Sequence, residues 1–264
     1  MTLALDLEWD SSTILCAATA WIDDSFAPTP QLWALPSANK FVPLSPALID
    51  ALIDTLYAAF KGGTRIVTWG GTGTDWKALL KASPHKEDMI KELARGSIDI
   101  PLVSVAHNGM MQSLVSTAYA MGLVQRSGCD LSADVPKLWA GGIQSQMQVL
   151  DHVQWDAWAT AQIFHRLHLA AQYGRPQLTW STQRSGLRSV RLQRVKTEKG
   201  WSLPSVSDVM TWPVPVCKFS IPDHLHPLQF TSWLKEEKKE VKEVKEEKPV
   251  RVLRGRVIYG DGRF

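Results

Sequence analysis

Asp6 and Glu8 stand two residues apart in the opening run Leu3-Ala4-Leu5-Asp6-Leu7-Glu8-Trp9-Asp10. Residues at i and i+2 of a strand share a face, so both carboxylates project side by side. Acids that close repel unless a cation stands between them, and a hard divalent ion such as Mg²⁺ prefers oxygen ligands. An edge strand with two solvated acids would satisfy the same residues. A third carboxylate, Asp75, ends the stretch Trp69-Gly70-Gly71-Thr72-Gly73-Thr74-Asp75. No Gly-Lys-Ser/Thr follows these glycines, which excludes a Walker-type phosphate loop; Asp75 can equally act as a helix N-cap. His152 and Asp156 lie four apart in a long helical stretch and so share one helical face. Mutual support on an exposed face is the simpler use of such a pair.

The elements that must position these residues follow from periodicity and punctuation. The opening run reads as a buried central strand. Thr13 to Trp21 and Gln31 to Leu35 follow as β-prone segments, the latter bounded by Pro30 and Pro36, and together the three predict an antiparallel meander. Ser45 as N-cap and Pro46 at the first helical position start a helix through Phe60, which Gly62-Gly63 stop. Its apolar stripe is Leu48, Leu52, Leu56 and Ala59. Arg65 to Trp69 is a strand, joined to the meander by this crossover helix, and Asp75 to Lys81 is a helix. Lys86 to Ala94 is a charged helix, Ser97 to Val103 an extended piece, Met111 to Met121 a helix and 126–142 a polar loop. Ser145 to Tyr173 is the longest helix, with Leu150, Val153, Ala157, Ala161, Phe164 and Leu167 along one stripe. Strand–helix alternation after the meander predicts an α/β fold with a mixed central sheet flanked by helices.

Composition excludes several classes. Cys16, Cys129 and Cys217 are widely spaced and form neither a zinc pattern nor a disulfide framework. No basic leader precedes an apolar core, and no apolar stretch reaches the ~18 residues of a membrane span. A soluble, cytoplasmic protein without membrane contact is the expectation. The net charge of +3 lies wholly in residues 235–264, since residues 1–234 hold as many acids as bases. Any argument for nucleic-acid binding is therefore local. Residues 178–196 alternate around Ser185-Gly186 like a hairpin, and Arg184, Arg188, Arg191, Arg194, Lys196 and Lys199 on and after it could line a phosphate-facing surface. A solvated ribbon is the alternative. Residues 201–234, rich in Pro and Trp, are expected to wrap the core without much regular structure. Lys235–Lys248 alternates Lys and Glu with no apolar face, as a solvated helix or a disordered linker. The basic end, 250–264, carries enough Val, Leu and Ile to dock on a protein partner.

Taken in order, the acid-bearing segments acquire a family likeness. Asp6-x-Glu8 on a strand, Thr68-Trp69-Gly70-Gly71-x-Gly73-x-Asp75-Trp76-x-x-Leu79, and His152-x-x-x-Asp156-Ala157-x-x-Thr160 on a long helix resemble the three motifs of the DEDD-type (DnaQ-like) 3'-5' exonucleases of the ribonuclease H-like fold. Within them the likeness is to polymerase-B-associated exonuclease domains. Gly109-Met110-Met111-Gln112-Ser113-Leu114 through Met121-Gly122-Leu123 looks like the family's helix between the second and third motifs. The likeness covers residues 1–175 well and 176–234 loosely, which suggests an exonuclease-like domain over 1–234 and a charged linker and tail over 235–264. Two features depart from the family: position 70 is Gly where Asn is common, and His152 stands at the spacing of the tyrosine subfamily. The resemblance implies a metal-dependent 3'-5' exonuclease acting on single-stranded or 3'-ended DNA or RNA, with two Mg²⁺ ions, or Mn²⁺ in their place. It implies that Asp6 bridges the ions, that Glu8 and Asp156 complete the nucleophile-side site, that Asp75 holds the other ion through water, and that His152 is the general base. The contrasting reading is an inactive ribonuclease H-like module that binds nucleic acid or serves as a scaffold.

Overall fold

The computed structural model describes residues 1–11, 13–23, 27–123, 134–182, 186–198, 200–212 and 227–235. Arg184, Lys199, Cys129, Cys217 and residues 236–264, including the charged run and the basic end, lie outside them. The fold is α/β. A five-stranded mixed sheet is built from β1 (Thr2–Asp10), β2 (Thr13–Ile22), β3 (Thr29–Trp33), β6 (Arg65–Thr68) and β7 (Ile98–Asp99), in the order β3-β2-β1-β6-β7. β1 is the middle strand. It pairs antiparallel with β2 and parallel with β6, and the crossover between β1 and β6 includes α1 (Pro46–Lys61). Ser45 caps α1 by accepting a hydrogen bond from Leu48 N at 3.3 Å. Between β3 and α1 sits a small hairpin, β4 (Leu35–Ser37) with β5 (Lys40–Val42).

Alternation along β1 divides its side chains between two cores. Leu3, Leu5 and Leu7 face one core with Ile49, Leu52, Ile53 and Leu56 of α1, with α2 (Asp75–Ala82), and with α3 (Glu87–Gly96). Ala4 faces the other core, beneath α6 (Val135–Ala140) and α7 (Ile143–Tyr173). On that side the cross-strand neighbours on β2 are Ala20, Ala18 and Cys16. These small residues let α7 approach closely with Val149, Val153, Ala157 and Ala161. Asp6 and Glu8 share the Ala4 side and therefore face α7.

Several boundaries differ from the sequence reading, for identifiable reasons. Pro30 lies inside β3 and Pro36 inside β4, rather than bounding a strand. β3 is an edge strand, where a missing N–H is tolerated. Ser97–Val103 is not extended throughout: β7 has only two residues, and α4 (Ile100–Asn108) begins at once, capped by Asp99. The helix expected from Met111 starts at Leu114, as α5 (Leu114–Ala120), because Ser113 caps it. α6 occupies part of the expected polar loop. After α7 come two hairpins, β8 (Gln177–Thr182) with β9 (Gly186–Arg191), and β10 (Val195–Thr197) with β11 (Gly200–Ser202). Short helices α8 (Val206–Met210) and α9 (Pro227–Thr231) and a 3-10 turn at Ser232–Leu234 then give the wrapping segment more regular structure than its composition suggested. No helix among the described residues is long and apolar enough to cross a membrane.

Candidate active site

The parallel strands β1, β6 and β7 end at the same edge of the sheet, and each delivers an acid there. β1 carries Asp6 and Glu8 near its carboxyl end. β6 ends at Thr68 and turns through Gly70–Thr74 into α2, whose first residue is Asp75. Asp75 is buried and does not act as the cap. Thr74 holds that position and donates from its hydroxyl to Asp75 Oδ1 and to Gly70 O, each at 3.1 Å. The turn needs its glycines at two points. Gly70 has φ +83°, a left-handed conformation that Gly adopts freely and that Asn tolerates best among the rest. Gly70 thus meets the backbone requirement of the turn without strain. At Gly71 a Cβ would lie 2.7 Å from Thr68 Cβ, so the turn folds directly back on the strand end.

The buried carboxylate of Asp99 holds the turn in place. Its Oδ1 accepts from Gly70 N at 3.0 Å and from Leu102 N at 3.3 Å, and its Oδ2 accepts from Thr72 N at 2.8 Å. One side chain therefore caps α4 and fixes the loop that carries Asp75. The sequence reading passed over Asp99. Its available signal was an acid two residues ahead of a proline, the pattern of an N-cap with Pro in the first turn. From outside, Trp233 Nε1 donates to Thr72 O at 3.1 Å, and the Phe230 ring lies 3.0 Å from where a Gly73 Cβ would be. Arg95 donates to Leu234 O, which ties this last described segment to α3.

α7 supplies the rest. The His152 side chain is only 1 % exposed and lies between two carboxylates, with Nε2 3.4 Å from Glu8 Oε1 and Nδ1 3.7 Å from Asp156 Oδ1. Asp6 lies in the same field. Its Oδ2 is buried with no hydrogen-bond partner among the described residues. Burial, and after it the charges of Asp156, Asp75 and Glu8, hold the Asp6 carboxyl well above the usual carboxylate range. Burial chiefly pushes Asp75 up to about 7; the Thr74 hydrogen bond opposes this and the Asp99 charge adds to it. Cys16, opposite Glu8 across the strand pair, has its thiol raised by burial and by Glu8 and Asp6. It is a small neutral neighbour of the acids.

Asp6, Glu8, Asp75, His152 and Asp156 are thus brought into one neighbourhood from three distant parts of the chain. The donor set, four carboxylates and an imidazole, suits a hard divalent cation. A buried carboxylate oxygen that lacks a donor and feels three like charges is the local feature such a cation would relieve. As they stand, no three His, Cys, Asp or Glu among the described residues enclose an ion site. Arg194 donates to Ala171 O at 2.7 Å and stacks 4.1 Å over the Trp201 ring, which fastens β11 to the end of α7. Arg188 and Arg191 ride on exposed β9, whose partner strand β8 packs on α5, and Lys196 is exposed on β10. Neither a protein-family model nor a curated protein gives a significant match to this sequence.

Proposed function

We propose that the chain is a metal-dependent 3'-5' exonuclease of ribonuclease H-like fold that hydrolyses phosphodiester bonds of DNA or RNA. The observation that carries this reading is the meeting of Asp6, Glu8, Asp75 and Asp156 at the carboxyl ends of parallel strands, despite their separation in sequence. A strand–turn–helix framework with three like charges around a buried carboxylate destabilises the fold unless a ligand uses it. Divalent ions, when bound, supply an activated water at neutral pH and neutralise charge on the leaving oxygen. Such ions would be held by Asp6, at the centre of the acids, together with Glu8, Asp156 and Asp75. His152 orients Glu8 and Asp156 where it stands. For it to act as general base, one nitrogen must turn from its carboxylate to a water within about 2.6–3.2 Å.

The test uses 5'-labelled single-stranded DNA, single-stranded RNA and 3'-recessed duplexes with Mg²⁺, with Mn²⁺ and with EDTA. The expected result is a ladder shortening from the 3' end, lost in EDTA and in Asp6→Ala. His152→Ala should lower turnover by roughly 10²–10⁴-fold if the imidazole is the base. Undiminished turnover would leave it only the orienting role, and recovery in His152→Tyr would assign tyrosine-type geometry. No hydrolysis of any substrate with either metal would overturn the nuclease reading. Binding of the same strands without hydrolysis would then favour a nucleic-acid-binding module.

A further inference from the structure

Arg65 stands at the end of the sheet away from the acids. It opens β6, and its register partner on β1 is Thr2. In-register neighbours on paired strands share a face, and Thr2 lies on the face of Ala4 and Asp6, so Arg65 also projects toward α7. Helix and strand keep step along that face. β1 covers about 13 Å from Asp6 back to Thr2 at ~3.3 Å per residue. α7 covers about the same length from Asp156 to His165 at ~1.5 Å per residue. The last part of α7 therefore lies over Arg65 and brings His165 and His168 there. The Arg65 guanidinium is half-buried, and among the described residues it has neither an ion pair nor a side-chain hydrogen bond. His168, 8 % exposed, is the second unsatisfied group. Its ring stacks on Phe164, and the Gln172 amide nitrogen donates to Nε2 at 3.1 Å. An imidazole that accepts at Nε2 carries its proton on Nδ1. That Nδ1–H is buried with no acceptor among the described residues. The charges that bear on the ring are basic: Arg65, His165 and the amine at the start of β1. Arg194, at the end of α7, is already engaged by Ala171 O and the Trp201 ring. Two donors from different elements are thus left without acceptors, which costs stability unless an anion joins them.

We infer that Arg65 and His168 form a binding site for a tetrahedral oxyanion of the phosphate class, on the α7 face of the sheet and remote from the acids. The guanidinium fork contacts two oxygens at once, and Nδ1–H adds a donor from the helix side. A planar carboxylate would be used up by the fork alone, whereas a tetrahedral anion keeps an oxygen for a donor that arrives from another direction. Because Arg65 is only half-buried, the ion enters from solvent. The site stands apart from the nuclease reading, since none of its residues belongs to the acid cluster. Inorganic phosphate and sulfate are titrated into the full chain, labelled with ¹⁵N-histidine, at pH 7 and at an ionic strength held constant with NaCl. His168→Gln identifies the His168 signals. The Nδ1 signal should move saturably with either oxyanion, with half-saturation on the order of 1 mM, and stay in place with NaCl alone. Arg65→Gln should weaken binding by about 10- to 100-fold, the worth of charge-assisted hydrogen bonds, and Arg65→Lys by less. Lys77→Gln, which removes the same charge from an exposed position on α2, should bind as the wild type does. Phosphate should raise the thermal midpoint of the wild type and not that of Arg65→Gln. In NaCl the Arg65→Gln midpoint should be no lower than that of the wild type, because the guanidinium has no partner to lose; this also checks that the variant is folded. A His168 signal unmoved by tens of millimolar phosphate and sulfate would overturn the inference. So would an equal response in wild type and Arg65→Gln, or a response to NaCl as large as that to phosphate, which would be screening alone.

Discussion

Asp6 shows most directly how the site opposes the fold that carries it. Its carboxyl is flanked by Glu8, Asp75 and Asp156, and its Oδ2 lacks a donor among the described residues. Replacing it with an amide removes a like charge and supplies a donor in the same volume. Asp6→Asn is expected to raise stability in EDTA by about 0.5–2 kcal/mol, the usual yield of relieving a charge conflict. That corresponds to a few degrees in the thermal midpoint for a domain of this size. Mg²⁺ or Mn²⁺ should raise the wild-type midpoint further and leave the variant nearly unmoved, because binding to the native state is what stabilises. Differential scanning fluorimetry with and without metal checks both arms. A variant less stable than wild type in EDTA would mean that the acids do not repel as described. At this scale the sequence was informative: spacing placed Asp6 beside Glu8, and His152 one turn from Asp156. That His152 lies between Glu8 and Asp156 was not legible, because it depends on α7 crossing β1 over the small residues Ala4, Ala18 and Ala20.

The element-scale lesson lies in residues 97–108. Ile98, Ile100 and Val103 are β-branched and read as extended chain, yet the strand has two residues and the rest is helix. Tertiary demand decided the switch: Asp99 ends β7 level with Thr68 of β6 and is thereby placed to accept from both the turn and α4. The meander and the crossover helix were legible because strand periodicity and the Ser45-Pro46 cap act locally. The clamp was not, since its partners Gly70 and Thr72 lie nearly thirty residues away. Removing the carboxylate tests it. Asp99→Ala leaves three backbone N–H groups without their acceptor, and unsatisfied buried donors are each worth about 1–3 kcal/mol. A loss of about 3 kcal/mol or more in urea unfolding is expected. Asp99→Asn keeps one carbonyl oxygen and should remain folded, with Mn²⁺ affinity lowered about 10–100-fold, as for other residues that orient metal ligands. A paramagnetic Mn²⁺ titration reads that affinity without any substrate. Unchanged affinity in a folded Asp99→Asn would show that the turn holds Asp75 without the clamp.

Across the whole molecule, charge is sorted along the strand direction of the sheet. The acids gather at the carboxyl ends of β1, β6 and β7. Near the opposite end, where β1 and β6 begin, Arg65, His165 and the N-terminal amine lie close enough to act on His168. His168 is buried, stacked on Phe164 with centroids 5.6 Å apart, and its Nε2 lies 3.1 Å from the Gln172 amide nitrogen. Burial first, then Arg65, His165 and the amine, push its pKa down to about 4. The unfolded chain would titrate this ring near 6.5. Between those values the unfolded state binds more protons, so stability is present above about pH 6.5 and is lost as pH falls toward 4. At pH 5 the loss from this group is about 2 kcal/mol. Asp75, held near 7, contributes with the opposite sign, since its protonation on acidification relieves the acid site. The pH profile of the wild type therefore mixes contributions of opposite sign, and only a difference isolates one of them. His168→Gln removes the titrating ring and leaves the acid end untouched. Measured by thermal midpoint at pH 7 and pH 5 in EDTA, the drop on acidification should be smaller in His168→Gln than in wild type by several degrees. An equal drop in the two proteins would mean that His168 takes up its proton in the folded state as readily as in the unfolded one, and that the cationic end of the sheet exerts no such pressure on it.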